Sequence, residues 1–228
     1  MNTYSRRQSA FTLIELLVVV AIIAMLIAIL VPSLSKAKDL SLRTQCANRL
    51  RSVYLATAMY VGEDGALPDL NNAPDESPLQ YNYLIFDGRD YEQNFGPIAR
   101  PNGPLQAIET LYCPVQTDVN HVLNSETNPW PSRPNMDTRA GFGRRFGLSG
   151  KALSDFDKIV CFAADVFHLD NLIKTAHKTG INVVYIDGHA IWVPGFPHLL
   201  DNELANPFDP ADDPFVKDIW IDLDRIGR

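Results

Sequence analysis

The chain has 228 residues, room for one or two domains, and its 20 Lys and Arg against 27 Asp and Glu leave a formal charge of -7. That acidic balance disfavours a nucleic-acid-binding surface, because phosphate contacts are made by Lys and Arg. Three cysteines, Cys46, Cys113 and Cys161, form no C-x-x-C pair, which argues against zinc. Three buried thiols, or one disulfide plus a free thiol, remain open.

The first element is an apolar run. From Phe11 to Val31 only Thr12 and Glu15 are polar. At about 1.5 Å rise per residue this run makes about 31 Å of helix, enough to cross a hydrocarbon core of about 30 Å. Arg6 and Arg7 precede it. Positive charge there holds that end in the cytoplasm and predicts that the rest of the chain lies across the membrane. A secretory signal has a short apolar core followed by a small-residue cleavage site. Here the run is long, and the small residues Ser9 and Ala10 precede it. Cleavage between Ala10 and Phe11 removes the charged leader and keeps the span.

The stretch SAFTLIELLVVVAIIAMLIAILVP, residues 9–32, resembles the class III signal of type IV pilins and type II secretion pseudopilins. The likeness rests on Phe11 as first mature residue, Glu15 as the fifth and Pro32 as the twenty-second. Ala10 stands where the family usually has Gly. The resemblance covers roughly residues 5–62. It implies cleavage by prepilin peptidase between Ala10 and Phe11, and N-methylation of Phe11. It also implies that Glu15 pairs with the Phe11 amine of a neighbouring subunit as a filament assembles. Energetics give that pairing a reason: an unpaired acid at the centre of a span costs about 2.5–3.5 kcal/mol on insertion scales. Glu15 lies nearer an interface and costs less, and on position alone a side chain reaching the headgroups fits equally well. The implied partners are copies of itself or related pilins, the peptidase, membrane lipid, and an inner-membrane assembly platform driven by a cytoplasmic ATPase. The implied place is a single pass of the inner membrane, with the C-terminal domain in the periplasm or on an extracellular filament. A subunit of this kind is structural, not an enzyme.

After Pro32 the sequence predicts that the helix continues. Leu42, Cys46, Leu50, Val53, Tyr54, Ala58 and Val61 recur at spacings of three and four, one stripe on one face, with Arg43 and Arg49 largely elsewhere. Gly62 or Gly65 should end the helix before Pro68. Pro32 has no amide hydrogen and crowds the preceding turn, so a kink or a local melting is expected there. Cys46 reads as a small core residue, with a disulfide to Cys113 or Cys161 as the sharper alternative. The predicted organisation is a leader over 1–10, a span over 11–31, an amphipathic continuation over 32–62 and a head over 63–228.

The head opens with loops, NNAPDESPLQYN and NSETNPWPSRPNMDTR, around short apolar pieces such as NYLIF and IETLYCPV. GRRFG at 143–147 reads as a solvated Gly-rich loop. KIVCFAADV at 158–166 reads as a strand. INVVYIDGHAIWVP at 181–194 reads as a hairpin turning on Asp187-Gly188, a pair suited to a type I′ turn. DIWIDLD at 218–224 alternates and reads as a half-exposed strand. One long helix followed by strands without a βαβ repeat predicts an α+β fold with a small antiparallel sheet and long loops.

HKTGINVVYIDGH carries a second resemblance. His177, nine residues, then Asp187-Gly188 is similar to a motif in the C-terminal part of many pilin-like proteins with this N-terminus. LYCPV and DFDKIVCFAADVF are similar to the same group. The resemblance assigns the motif no role. His177, Asp187 and His189 do not read as a catalytic or metal set, since no GxSxG, HExxH or Walker-type loop accompanies them. Asp187-Gly188 makes the turn, and His177 is expected to hydrogen-bond within the domain. The acidic stretch NPFDPADDPFVKD offers Asp209, Asp212 and Asp213 as oxygen ligands, and some secretion pseudopilins bind calcium in a C-terminal loop. The stretch lacks the Gly and final Glu of an EF-hand. A plain solvated loop is the preferred reading, and no cofactor or metal is expected.

The sequence thus predicts a filament subunit. Its rivals are a minor, tip or DNA-uptake pilin, and a membrane-anchored periplasmic binding domain that borrows a pilin-like anchor.

Overall fold

The computed structural model describes residues 12–70, 82–166, 176–177, 179–195 and 213–227. The chain is α+β: a long N-terminal helix, then a domain built on small antiparallel sheets.

Helix α1 (Leu13–Asp64) starts at Thr12. The Thr12 hydroxyl oxygen accepts from the Glu15 backbone N–H at 3.3 Å. Glu15 Oε2 accepts in return from the Thr12 N–H at 2.9 Å and its O–H at 2.8 Å. This is a capping box, which gives partners to two backbone donors at the helix start. Pro32 lies inside α1, which is helical on both sides of it in the single chain. Of the two glycines expected to end the helix, Gly65 does so. Its φ is +83° and its N–H donates to Val61 O at 2.7 Å, the left-handed closure that glycine adopts without a Cβ penalty.

Two compact units divide at residues 41 and 42. In the first, every large apolar side chain from Leu13 to Leu34 is at least 46 % exposed. Among the described residues, α1 is the helix long and apolar enough to cross a membrane. A surface this apolar suits hydrocarbon as its solvent.

In the second unit the predicted stripe is buried at Cys46, Leu50, Val53, Tyr54 and Val61, half-buried at Leu42 and Ala58, and widened by Ala56 and Thr57. Arg43 and Arg49 are not clear of it. Arg49 donates to Tyr112 O at 2.7 Å, and the Arg43 guanidinium lies 4.1 Å from the centre of the Trp192 ring. Strands β1 (Leu84–Asp87) and β2 (Asp137–Arg139) pair antiparallel, with the one-turn helix α2 (Gly96–Ala99) between them in sequence. The main sheet has the order β3 (Phe142–Arg144), β4 (Cys161–Asp165), β5 (Gly180–Tyr185), β6 (Ala190–Pro194), all antiparallel. One face meets α1: Phe162, Ala163 and Val184 join its stripe, and Phe162 stands edge-on to Tyr54 at 5.5 Å. The other face buries Cys161, Ala164, Ile181, Val183 and Tyr185 beneath helix α3 (Asp213–Ile226), through Ile219, Trp220 and Leu223. Cover on both faces explains why β4 and β5 are buried along their whole length.

Three expectations are corrected. DIWIDLD is helix, not strand. The alternation of Ile219, Ile221 and Leu223 mimics a strand, but the buried residues are Ile219, Trp220 and Leu223, while Ile221 is 40 % exposed. That is a helical face. The helix is tied down by Asp224, which accepts from the Cys161 N–H at 2.8 Å and pairs with Arg145 at 2.6 Å, and by Tyr185, whose hydroxyl donates to Leu223 O at 2.8 Å. Second, GRRFG is not a solvated loop. Gly143 and Arg144 lie in β3, and Arg144 is buried and donates to Pro68 O at 2.7 Å. Third, the β5–β6 turn is not type I′. Only Gly188 has a positive φ, at +82°, whereas type I′ needs it at both central residues. The Gly188 N–H donates to Tyr185 O at 2.9 Å and the Tyr185 N–H to His189 O at 3.0 Å. The loop is therefore the three residues Ile186–Gly188, with glycine at the left-handed position.

Candidate functional site

Ala10 and Phe11 lie outside the described residues. So do Asp209 and Asp212, and of Asp213 only its place at the start of α3 is described. Glu15 sits at the N-terminus of α1, exposed, with its carboxylate engaged by Thr12 as above. A capping glutamate is therefore a second, local role that the apolar pattern had obscured.

The His177/Asp187/Gly188 motif is split between the two ends of β5. At the turn, Asp187 Oδ1 accepts from the His189 N–H at 3.0 Å and from its ring. Gly188 faces α1. A Cβ there would sit 2.8 Å from Tyr54 Cε1, and Tyr54 is held by its hydroxyl, which donates to Ile186 O. Gly188→Ala combines a strained φ with a clash against a ring that is bonded in place. We expect a loss of about 1–3 kcal/mol in denaturant unfolding of the full chain in detergent. A loss below about 0.5 kcal/mol, the range of an inert surface change, would show that the turn tolerates a side chain.

At the other end of β5, His177 enters a buried cluster with Cys46 of α1, Cys113 of the loop after the 3₁₀ turn Ile108–Leu111, and Asp165 at the end of β4. None of the four is more than 5 % exposed. One ligand atom from each lies within 4.8 Å of all the others. The Cys46 thiol donates to Asp165 Oδ1 at 2.9 Å, Cys113 Sγ is 3.3 Å from His177 Nε2, and His177 Nε2 is 3.7 Å from Asp165 Oδ2. Asn182 of β5 braces the set. Its backbone N–H donates to Asp165 Oδ2 at 2.6 Å, its side-chain amide to the same oxygen at 3.0 Å, and that amide lies 3.2 Å from His177 Nε2. The Trp192 ring stands edge-on to His177 at 5.3 Å.

Burial first, then the neighbouring Cys113 sulfur and Asp165 carboxylate, push the Cys46 thiol well up. Cys113 is brought down to about 7, first by a hydrogen bond from Cys46 and then by His177 against the cost of burial. Cys46 has one proton to offer, and its 2.9 Å contact to Asp165 competes with the contact to Cys113. The direction for the pair is clear: Cys46 holds its proton and Cys113 is the more acidic thiol. Burial raises Asp165, with His177 and the Asn182 N–H acting against it.

All three cysteines are free thiols, so the alternative of a bridge from Cys46 to Cys113 or Cys161 is not formed. The fold holds His177 apart from Asp187 and His189 along β5 and places it with two cysteines and Asp165. Two thiols, an imidazole and a carboxylate are a donor set that could hold a metal ion.

Residues 5–31 match the family model of the prokaryotic N-terminal methylation motif. The chain carries that motif. Followed by a long apolar helix, it is consistent with a type IV pilin-like precursor anchored in a membrane. The motif ends at residue 31, within α1, and so describes the anchor and not the head. No curated protein and no solved structure matches the chain.

Proposed function

We propose that the chain is a structural subunit of a type IV pilus-like or type II secretion pseudopilus filament. Prepilin peptidase cleaves it between Ala10 and Phe11, Phe11 is N-methylated, and assembly proceeds through the N-terminal half of α1 with the head on the far side of the inner membrane. The observation that carries this reading is the methylation motif over residues 5–31, continuous with the exposed apolar part of α1 from Leu13 to Leu34, whose one acid is Glu15. Its work is mechanical, and its partners are related pilins, the peptidase and the assembly platform.

A membrane-anchored binding domain draws on one feature, an open groove lined by Tyr91, Arg100, Ile108, Glu109, Trp130 and Pro131. A small-molecule site normally encloses most of its ligand, and this groove is open to solvent, so the filament reading is preferred.

Intact mass and N-terminal sequencing of the protein from its native membrane test the proposal. The expected chain begins at N-methylated Phe11. A chain still carrying Met1–Ala10 would overturn it and move the anchored binding domain to first place.

A further inference from the structure

We propose that Cys46, Cys113, Asp165 and His177 form a structural zinc site that fastens α1 to the head. The inference stands apart from the filament reading, since it concerns the second unit alone.

The donor types come first. Cysteine sulfur, histidine nitrogen and aspartate oxygen are the three ligand types of protein zinc, and four protein ligands with no open position mark structural rather than catalytic sites. Two soft sulfurs exclude calcium and magnesium, which take oxygen. The hard carboxylate and the imidazole make the set a poorer match for monovalent copper than for zinc.

Geometry comes second. Zinc bonds of about 2.0–2.3 Å at tetrahedral angles place ligand atoms about 3.3–3.8 Å apart. Of the separations among the four side chains, 3.3 and 3.7 Å fall in that range and 2.9 Å is shorter, and all four ligand atoms fit within 4.8 Å. Shifts of an ångström or less would close the shell. Asn182 supplies the outer support that metal ligands usually have. Its side-chain amide donates to Asp165 Oδ2 and lies 3.2 Å from His177 Nε2, the ring nitrogen that faces Cys113 and Asp165.

Energetics come third. A carboxylate, an imidazole and two thiols converge in a core otherwise filled by Leu50, Val53, Phe162 and Val184. Buried polar groups are costly unless their charge and hydrogen bonds are satisfied. A divalent cation satisfies all four together. The site also explains the spacing of the motif. His177 precedes β5 and Asp187-Gly188 follows it, so the six residues of that strand, about 20 Å, set the nine-residue interval. One end of β5 is fastened at the cluster and the other at the turn against Tyr54.

The test is metal analysis of the full-length protein, purified in detergent without chelator, together with its intact mass and a titration of the metal-stripped protein with Co²⁺. The expected result is one zinc per chain and, on adding Co²⁺, the intense sulfur-to-cobalt absorption and visible bands of a tetrahedral thiolate site. Cys161→Ser, which removes a buried thiol outside the cluster, should keep the zinc, whereas Cys113→Ser and His177→Ala should lose it. The wild-type Co²⁺ spectrum decides the matter even if those variants fail to fold. Absence of zinc with no thiolate–cobalt band would overturn the proposal. So would a mass lighter by two hydrogens with Cys46 and Cys113 joined, which would make the pair a disulfide instead.

Discussion

We expect Glu15→Val and Glu15→Gln both to insert into the membrane and to be cleaved after Ala10, and neither to enter sheared filament fractions, with a loss of at least about tenfold. The pair of variants separates the two roles of this carboxylate. Within its own chain it closes a capping box with Thr12, worth about 0.5–2 kcal/mol at a helix start. Glutamine keeps that function, because its side-chain oxygen accepts the same N–H. It does not keep the negative charge that would pair with the Phe11 amine of a neighbour. Loss of the cap alone does not unfold the span, since an unpaired backbone group in hydrocarbon costs several kcal/mol and holds the segment helical. Filament incorporation of Glu15→Gln at wild-type level, with Glu15→Val excluded, would assign Glu15 to capping and sink the pairing.

Trp220→Ala is expected to destabilise the head by about 3–5 kcal/mol, the range for deleting a large buried aromatic. Trp220 is fully buried, and with Ile219 and Leu223 it covers the face of the sheet opposite α1. Domains of this size are stable by only about 5–15 kcal/mol, so this one change removes a large fraction. Ile221→Ala, two-fifths exposed on the same helix, should cost less than about 1 kcal/mol. Denaturant unfolding of both variants in detergent, followed by circular dichroism, checks the contrast. Equal small losses would mean that α3 is an accessory to the sheet rather than half of its core.

The contrast between those two neighbours is not legible in the local sequence. Ile219, Ile221 and Leu223 satisfy a period of two. Trp220 is the residue whose contact with β4 and β5 decides for a helix, and nothing within seven residues announces that contact. GRRFG failed for a related reason: two arginines between glycines look solvated until Pro68 and Asp224, far away in the chain, supply their partners. The capping box, by contrast, is a local pattern, Thr12-Leu13-Ile14-Glu15, masked by the apolar run in which it sits.

By itself the sequence determined what depends on neighbours along the chain: the apolar span, the methylation motif, the stripe from Leu42 to Val61, a glycine end to α1 at Gly62 or Gly65 and the hairpin around Asp187-Gly188. These follow from backbone sterics, helical and strand periodicity and the transfer of apolar side chains out of water. The tertiary structure alone decided the buried cluster. Cys46 and Asp165 are 119 residues apart and Cys113 and His177 are 64 apart, on four separate segments, so no local spacing could reveal the set. It exists because the apolar stripe of α1 packs on one face of the sheet, and that packing carries Cys46 to the ends of β4 and β5, where Asp165 and His177 stand.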